Sequence, residues 1–184
     1  EYLASGEAHI RNFMEGMRLA QPYGAMRLGY LPDSFGHPSQ IPQIIAGLGM
    51  NELIFWRGPG PEVRHAEFDW VGKDGTEILA LNMVYGYSNA ANLKEDKAVR
   101  PRRLDHEIDK MARLSQLNLV LLMNGSDHIA PDARVAAWLE EYAAEHPELT
   151  IRHGLLEDYV RKAQERRRQS RLQKVSGELR SGYR

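Results

Sequence analysis

Hydrophobic and polar positions follow two different periods along the chain, and the two periods alternate. Apolar residues recur every three or four positions in a helix that packs one face on a core, whereas short continuous apolar runs are typical of buried strands. Helical spacing occurs at residues 6–21, 41–48, about 101–115, from Pro131, and from Leu155. Strand-like runs occur at residues 26–31, 53–56, 119–123 and 149–151. The alternation predicts an α/β fold with mostly parallel strands covered by helices, either open or closed as a barrel.

One stretch departs from this alternation. Residues 68–71 and 78–85 are predicted to be strands joined by Asp74-Gly75, a strong turn signal, so together they predict a hairpin. The polar, Asn-rich residues 86–100 that follow are predicted to form a loop that faces the functional site.

Polar side chains suited to catalysis follow the predicted strands. In chain order they are Asp33, Arg57, Tyr85 or Tyr87, and then Asn124, Asp127 and His128. Because parallel α/β folds place their active sites at the carboxyl ends of the strands, these carboxylates, phenols and guanidinium are expected on one face. Two carboxylates flanking a bond are the minimum machinery of a glycosidase, which predicts catalytic roles for Asp33 and Asp127.

The composition excludes some classes of protein and some kinds of metal site. The 184 residues fit one domain with a real core, and 24 basic against 25 acidic residues argue against a nucleic-acid binder held by charge. With no cysteine, any metal must be bound by Asp, Glu or His. No apolar run approaches the roughly 20 residues of a membrane helix, and the N-terminus lacks a secretory signal pattern, so a cytoplasmic protein is expected.

Three ordered motifs resemble a known enzyme family. They are PDSFGH at residues 32–37 with the following Gln40 to Gln43, FWRG at residues 55–58, and NGSDH at residues 124–128. With the opening SGEAHIRNFMEGMRLA and the closing GELRSGYR, nearly the whole chain resembles glycoside hydrolase family 38, the zinc-dependent retaining α-mannosidases, and its bacterial-type branch most of all. The resemblance implies an internal part of the N-terminal catalytic domain, hence a partial (β/α)7-type barrel, and an α-mannoside oligosaccharide as substrate.

The resemblance also implies roles for individual residues. Asp33 matches the nucleophile, which is also a zinc ligand, and Asp127 matches the general acid/base. Arg57 matches an arginine that hydrogen-bonds near the nucleophile. The implied reaction is hydrolysis of terminal α-mannosides with retention, through a glycosyl-enzyme intermediate on Asp33. Tyr85 and Tyr87, which end a predicted strand, are candidate substrate-binding residues, with simple packing as the alternative.

One departure from the family concerns the metal. The family's zinc site needs about four protein ligands, including a His-x-Asp pair and a later His-Asp motif, and neither pattern occurs in this sequence. A lone carboxylate, here Asp33, does not hold zinc tightly. Residues 1–184 are therefore expected to be a single partial catalytic domain, with the other zinc ligands outside it. Supply of those ligands by a second copy, in a homo-oligomer, is left open.

Two other functions are also left open. A metal-dependent polysaccharide deacetylase would place a strand-end Asp on a related barrel, but its usual His-x-x-x-His pair is absent from the sequence. A truncated remnant would bind sugar weakly or have no activity. For single residues, helix capping is the alternative for Asp33 and Asp127. His37 and His128 are interpreted as structural residues rather than as metal ligands.

Overall fold

The computed structural model describes residues 3–91, 93 and 99–181, which form a five-stranded sheet flanked by helices. The helices are α1 Gly6–Ala20, α2 Ile41–Gly47, α3 Arg100–Ala112, α4 Val135–Glu145 and α5 Leu156–Arg167. The strands are β1 Gly29–Leu31, β2 Glu52–Phe55, β3 Glu67–Val71, β4 Glu77–Asn82 and β5 Lys174–Ser176. This arrangement confirms the predicted α/β class with a mostly parallel sheet.

The order of strands across the sheet is β1-β2-β4-β3-β5. β1 lies parallel to β2, and β2 lies parallel to β4, whereas β3 and β4 are antiparallel neighbours. The predicted hairpin is therefore confirmed. Its turn is held by Asp74, whose carboxylate accepts hydrogen bonds from the backbone N–H and the hydroxyl of Thr76, at 3.0 and 2.6 Å.

The alternation of side chains along β2 builds a core on both faces of the sheet. Leu53 and Phe55 belong to a cluster that α1 and α2 cover, whereas Ile54 belongs to a second cluster that α5 covers. All three side chains are fully buried, which explains why this strand is a continuous apolar run. A third cluster joins α3 to α4 through Leu104 and Val135.

The helices begin for identifiable local reasons. Ser5 caps α1, because its hydroxyl accepts a hydrogen bond from the backbone N–H of Ala8 at 3.2 Å. Phe13 and Met17, which share one face of α1, then pack against the first cluster. None of the helices in the described part of the chain is long and apolar enough to cross a membrane.

The predicted strands at residues 119–123 and 149–151 are wrong. Residues 119–123 bond to a side chain instead of a neighbouring strand: the Asn89 amide donates to the Leu121 carbonyl at 3.1 Å and accepts from the Met123 N–H at 2.7 Å. Residues 149–151 pack against the third cluster without joining the sheet. In both cases the apolar run indicates that the segment is partly buried, and a partly buried loop has the same apolar pattern as a buried strand.

β5 is a strand that the sequence analysis does not predict. It lies parallel to β3, with Val175 opposite Trp70, and Val175 is its one buried residue. Three residues with a single buried position are too short for a period-two pattern to be recognised. The chain then continues through residues 177–181, which we call the C-terminal strap, toward the loops that follow β1 and β2.

Candidate active site

Asp33 and Arg57 lie side by side because the strands that precede them are paired. β1 and β2 run parallel with Leu31 opposite Phe55, so the residues after each strand leave the sheet at the same edge. Arg57 Nε lies 3.7 Å from Asp33 Oδ1, which makes an ion pair without a hydrogen bond. The Asp33 side chain is 56% exposed. Its carboxylate is therefore accessible from solvent while its charge is balanced by the guanidinium.

The Arg57 guanidinium is held by two aromatic rings. Its Cζ lies 3.7 Å from the ring centre of Trp56 and 4.7 Å from that of Phe35. Its Nε is buried and has no hydrogen-bond partner within the described ranges. Cation–π contacts thus fix the plane of the guanidinium.

Tyr87 brings the end of the β3–β4 hairpin to the same carboxylate. Its hydroxyl donates to Asp33 Oδ1 at 3.4 Å. Its ring packs edge-on against Trp56, with centroids 5.3 Å apart and planes at 82°. The preceding Gly86 allows this contact, because its φ of 79° suits glycine and a Cβ there would stand 2.9 Å from the Trp56 ring. Asp33, Arg57 and Tyr87 therefore form one contiguous group.

Loss of solvent and negatively charged side chains raise the pKa of two phenols near Asp33, those of Tyr87 and Tyr30. The pKa of Tyr87 is raised, first by loss of solvent around the ring and then by the charges of Asp33 and Asp127. The Arg57 charge acts in the opposite direction on the same phenol. The pKa of Tyr30 is also raised, first by burial and then by Asp33 and Tyr87. Both phenols are protonated at neutral pH, and the Tyr87 hydroxyl donates to Asp33.

Tyr30 and Phe35 belong to the site although the sequence analysis did not select them. Tyr30 is the exposed residue of β1, between two less accessible positions, and Phe35 is 49% exposed beside Arg57. A signal was present in both cases. Each is an aromatic residue within three positions of Asp33, and an aromatic ring at a strand end next to a catalytic candidate is a reasonable lining residue.

Asp127, the second predicted carboxylate, lies in an irregular exposed segment. This segment, residues 124–128, includes His128 at a φ of 62°. The charge of Asp127 contributes to the raised pKa of the Tyr87 phenol. The predicted strand before it is absent, so this carboxylate is carried by a loop.

Tyr85 takes a different direction from Tyr87. Its ring lies under the ammonium group of Lys110, with Nζ 3.9 Å from the ring centre, and 43% of the residue is exposed. Its described contact is therefore with α3 and not with Asp33. Two residues of one strand end thus differ in surroundings, since Tyr87 packs on Trp56 whereas Tyr85 packs on a helix.

The described residues do not by themselves fit a zinc site. No group of three or more His, Asp or Glu side chains in the described ranges is arranged to hold a metal ion. Asp33 contacts a guanidinium and a phenol. His37 is buried with its Nε2 2.9 Å from the Arg57 carbonyl oxygen, and His128 is exposed. One carboxylate is fewer than the three or four protein ligands that zinc takes.

Known proteins that resemble this chain are α-mannosidases and a related hydrolase. The crystal structure of an alpha-mannosidase from Enterococcus faecalis V583 superposes with a TM-score of 0.87 at 29% identity, covering 97% of this chain and 21% of that chain. A protein of Halalkalibacterium halodurans named "Putative mannosylglycerate hydrolase" is 27% identical over 98% of this chain and 22% of its own length. Alpha-mannosidase 2C1 of Mus musculus is 37% identical over 42% of this chain and 8% of its own length.

The chain spans about a fifth of the length of the first two of these proteins. Residues 1–178 match the family described as glycosyl hydrolases family 38 N-terminal domain. This match covers the motifs around Asp33, Arg57 and Asp127, so the predicted family resemblance is confirmed. The chain belongs to glycosyl hydrolase family 38, within its N-terminal domain.

Proposed function

We propose that this chain is the segment of a retaining α-mannosidase that carries the nucleophile and the general acid/base. The observation that carries the proposal is the accessible Asp33 carboxylate, paired with Arg57 at 3.7 Å and contacted by the Tyr87 hydroxyl at 3.4 Å. A nucleophilic carboxylate must be ionised, oriented and accessible, and this arrangement supports all three requirements. Residues 1–184 are accordingly proposed to be one partial catalytic domain.

The proposed reaction has two steps. Asp33 attacks the anomeric carbon while the bond to the leaving oxygen breaks and Asp127 donates a proton to that oxygen. Asp127 then removes a proton from a water molecule, whose oxygen attacks the anomeric carbon and releases the Asp33 carboxylate. Two displacements at one carbon retain its configuration. Arg57 balances the charge on Asp33 before the first step and after the second, when that charge is present.

The proposed substrate is a terminal α-mannoside of an oligosaccharide or of a smaller aglycone. Support comes from the names of the similar proteins, which are mannosidases and a mannosylglycerate hydrolase. Tyr30 and Phe35, close to Asp33 in the sequence, are both partly exposed and offer aromatic surfaces to a sugar ring. Tyr87, and Tyr85 if its contact with Lys110 opens, are proposed as substrate-binding residues.

The metal is a separate part of the proposal. Mannosidases of this family are generally metal-dependent. Zinc bound beside Asp33 would polarise that carboxylate and bind the vicinal hydroxyls of the sugar. Because the described residues supply one ligand only, the further ligands are expected outside the chain or from a second copy, and the steps above are written for this chain's own residues.

The decisive experiment is hydrolysis of an aryl α-mannoside by the purified chain, with and without added Zn²⁺. Asp33→Asn is the test variant, and Glu140→Gln is the matched control because Glu140 is exposed on α4. We expect Asp33→Asn to abolish any turnover that the wild-type chain shows and Glu140→Gln to leave it intact. A fluorinated mannosyl fluoride, which traps glycosyl-enzyme intermediates, should label the peptide that contains Asp33.

Label on a residue other than Asp33 would remove the assigned nucleophile and contradict the proposal. Absence of turnover at saturating Zn²⁺ would show that the chain is not a catalyst by itself, in favour of the remnant that binds sugar weakly or not at all, and would leave the family assignment unchanged. A polysaccharide deacetylase is not favoured, because the similar proteins named above are glycosidases and the sequence has no His-x-x-x-His pair.

A further inference from the structure

We propose that His37 is a positioning residue: through its ring and the C-terminal strap it fixes Arg57 at the distance from Asp33 that the site requires. His37 lies in the loop after β1, four residues beyond Asp33, and is fully buried. Its Nε2 lies 2.9 Å from the backbone carbonyl oxygen of Arg57. A carbonyl oxygen only accepts hydrogen bonds, so Nε2 carries the proton and donates it.

The ring of His37 is held in one orientation by its aromatic neighbours. Phe55 and Trp70 meet it edge-on, with centroid distances of 5.1 and 6.1 Å and interplanar angles of 73° and 72°. Edge-to-face contacts of this kind add to the energy of burial and restrict rotation of the ring. The donor at Nε2 therefore points in a fixed direction, toward the backbone carbonyl of Arg57 in the loop after β2.

The C-terminal strap binds the same two loops through backbone hydrogen bonds. His37 and Leu179 exchange two such bonds, at 2.8 and 3.0 Å, and the Ser181 N–H donates to the Gly58 carbonyl at 2.8 Å. Leu179 is fully buried and anchors the strap in the first core cluster. The strap thus adds a third bonded connection between the loop of Asp33 and the loop of Arg57.

Gly58 shows how closely these loops approach each other. Its φ is +103°, and a Cβ built on it would stand 3.0 Å from Cδ2 of His37 and 3.1 Å from Cα of Gly36. The His37 ring is therefore packed against the backbone that follows Arg57 as well as bonded to it. Displacement of the ring would move the main chain from which the guanidinium extends.

Arg57 is sensitive to such a movement. Its Nε is buried, and its contact with Asp33 Oδ1 is 3.7 Å, beyond hydrogen-bond length. Trp56 and Phe35 fix the plane of the guanidinium, but those stacks set no distance along the carboxylate direction. The main-chain position of Arg57 sets the distance from its guanidinium to Asp33, and His37 holds that main-chain position. The consequence for catalysis rests on the function proposed above, whereas the consequence for geometry does not.

The test compares two substitutions of His37. His37→Gln keeps an N–H donor at a similar distance from the backbone, and His37→Leu keeps the bulk but removes the donor. The primary measurement is the NMR signal of the Arg57 Nε–H, identified by its loss in Arg57→Lys. We expect His37→Leu to shift or broaden this signal and His37→Gln to preserve it, even if both variants lose thermal stability.

The second measurement is hydrolysis of an aryl α-mannoside by the same variants. We expect His37→Leu to lower kcat by roughly tenfold to a hundredfold with KM little changed, and His37→Gln to recover most of the loss, because misplacement by about 1 Å can cost that much. A wild-type chain without turnover would mean that the isolated chain is not a catalyst, yet the NMR comparison would still decide the positioning role.

A folded His37→Leu variant with an unchanged Arg57 signal would overturn the inference. Should His37→Leu fail to fold, Ser181→Pro takes its place, since it removes the N–H that bonds Gly58 without altering the buried ring. We expect a smaller change of the Arg57 signal in the same direction. An unchanged signal in Ser181→Pro would likewise contradict the role assigned to the strap.

Discussion

The hydroxyl of Tyr87 lies 3.4 Å from Oδ1 of Asp33, although 54 residues separate the two in the chain. The parallel pairing of β1, β2 and β4 accounts for this contact, because all three strands end at the same edge of the sheet. The carboxylate thus receives a phenol from one neighbouring element and a guanidinium from another.

Tyr87→Phe removes the hydroxyl and keeps the ring that packs on Trp56. A long hydrogen bond to a charged group is worth about 1 kcal/mol, so we expect kcat/KM for an aryl α-mannoside to fall about fivefold to tenfold. The melting temperature should stay close to that of the wild type. Tyr23→Phe, at an 88% exposed position, is the control and should leave hydrolysis unchanged. Equal activity in both variants would exclude a role for the Tyr87 hydroxyl.

Gly86→Ala should disturb the aromatic support of Arg57. The new Cβ would stand 2.9 Å from the Trp56 ring at a φ of 79°, so both crowding and backbone strain oppose it. We expect the free energy of unfolding to fall by about 1–3 kcal/mol and Trp fluorescence to change. Gly125→Ala, where nothing lies within 4 Å, is the matched control in a urea titration. Similar stability of the two variants would contradict the prediction.

Glu67 should make stability depend on pH. Burial raises the pKa of this carboxyl above its ordinary value of 4.5, although the Gln116 N–H and the hydroxyls of Ser115 and Tyr159 partly oppose the shift. A raised pKa means that the folded state binds the proton more tightly. The contribution of this proton binding to the free energy of unfolding is therefore fully present below pH 4.5. It is lost as pH rises through the raised pKa of Glu67.

We expect Glu67→Gln to remove this loss. The measurement is the denaturant midpoint of wild type and variant from about pH 4 to pH 8, with the exposed Glu140→Gln as control. The difference between Glu67→Gln and wild type should grow as pH rises. A difference that stays constant across this range would show that Glu67 has the same proton affinity in the folded and unfolded states.

Arg167 should stabilise the sheet through a buried carboxylate. It donates to Asp69 at 2.7 Å and to Glu77 at 3.1 Å, and Asp69 is 8% exposed. Arg167→Met would leave the Asp69 carboxylate without its principal partner, so we expect a loss of about 2 kcal/mol in the free energy of unfolding. The exposed Arg168→Met serves as the control.

A double variant separates this ion pair from simple packing. Asp69→Asn combined with Arg167→Met removes the unpaired charge and should recover part of the lost stability in the same urea titration. Additive losses from the two substitutions would indicate that the guanidinium acts by packing alone.

The sequence predicted the sheet-edge chemistry better than the elements far from it. Asp33 and Arg57 were predicted to converge because each follows an apolar strand, and the paired strands do bring them together. Residues 119–123 were predicted to be a strand because a buried apolar run resembles one. The side chain of Asn89 supplies the hydrogen bonds there, and no local pattern reveals a partner more than 30 residues away.

The directions in which side chains point are the other feature that the sequence does not predict. Tyr85 and Tyr87 have the same residue type and nearly the same position, yet one packs on Lys110 and the other on Trp56. The choice depends on Gly86 between them and on the position of α3, which are tertiary features. Tyr30 and Phe35 were missed for a similar reason, since an exposed aromatic residue becomes informative when its neighbours are known.

The C-terminal strap has a consequence for how the protein is made. The loops of Asp33 and Arg57 are synthesised well before Leu179, which belongs to the strap that joins them. The hydrogen bond from Trp70 to Gly177 spans 107 residues in the same way. Contacts of such long sequence separation form slowly, because loop closure must be completed before they stabilise anything. The two loops can therefore gain their mutual order only after the strap has left the ribosome, so a nascent chain that stops before residue 177 would carry the Asp33 carboxylate without its native geometry.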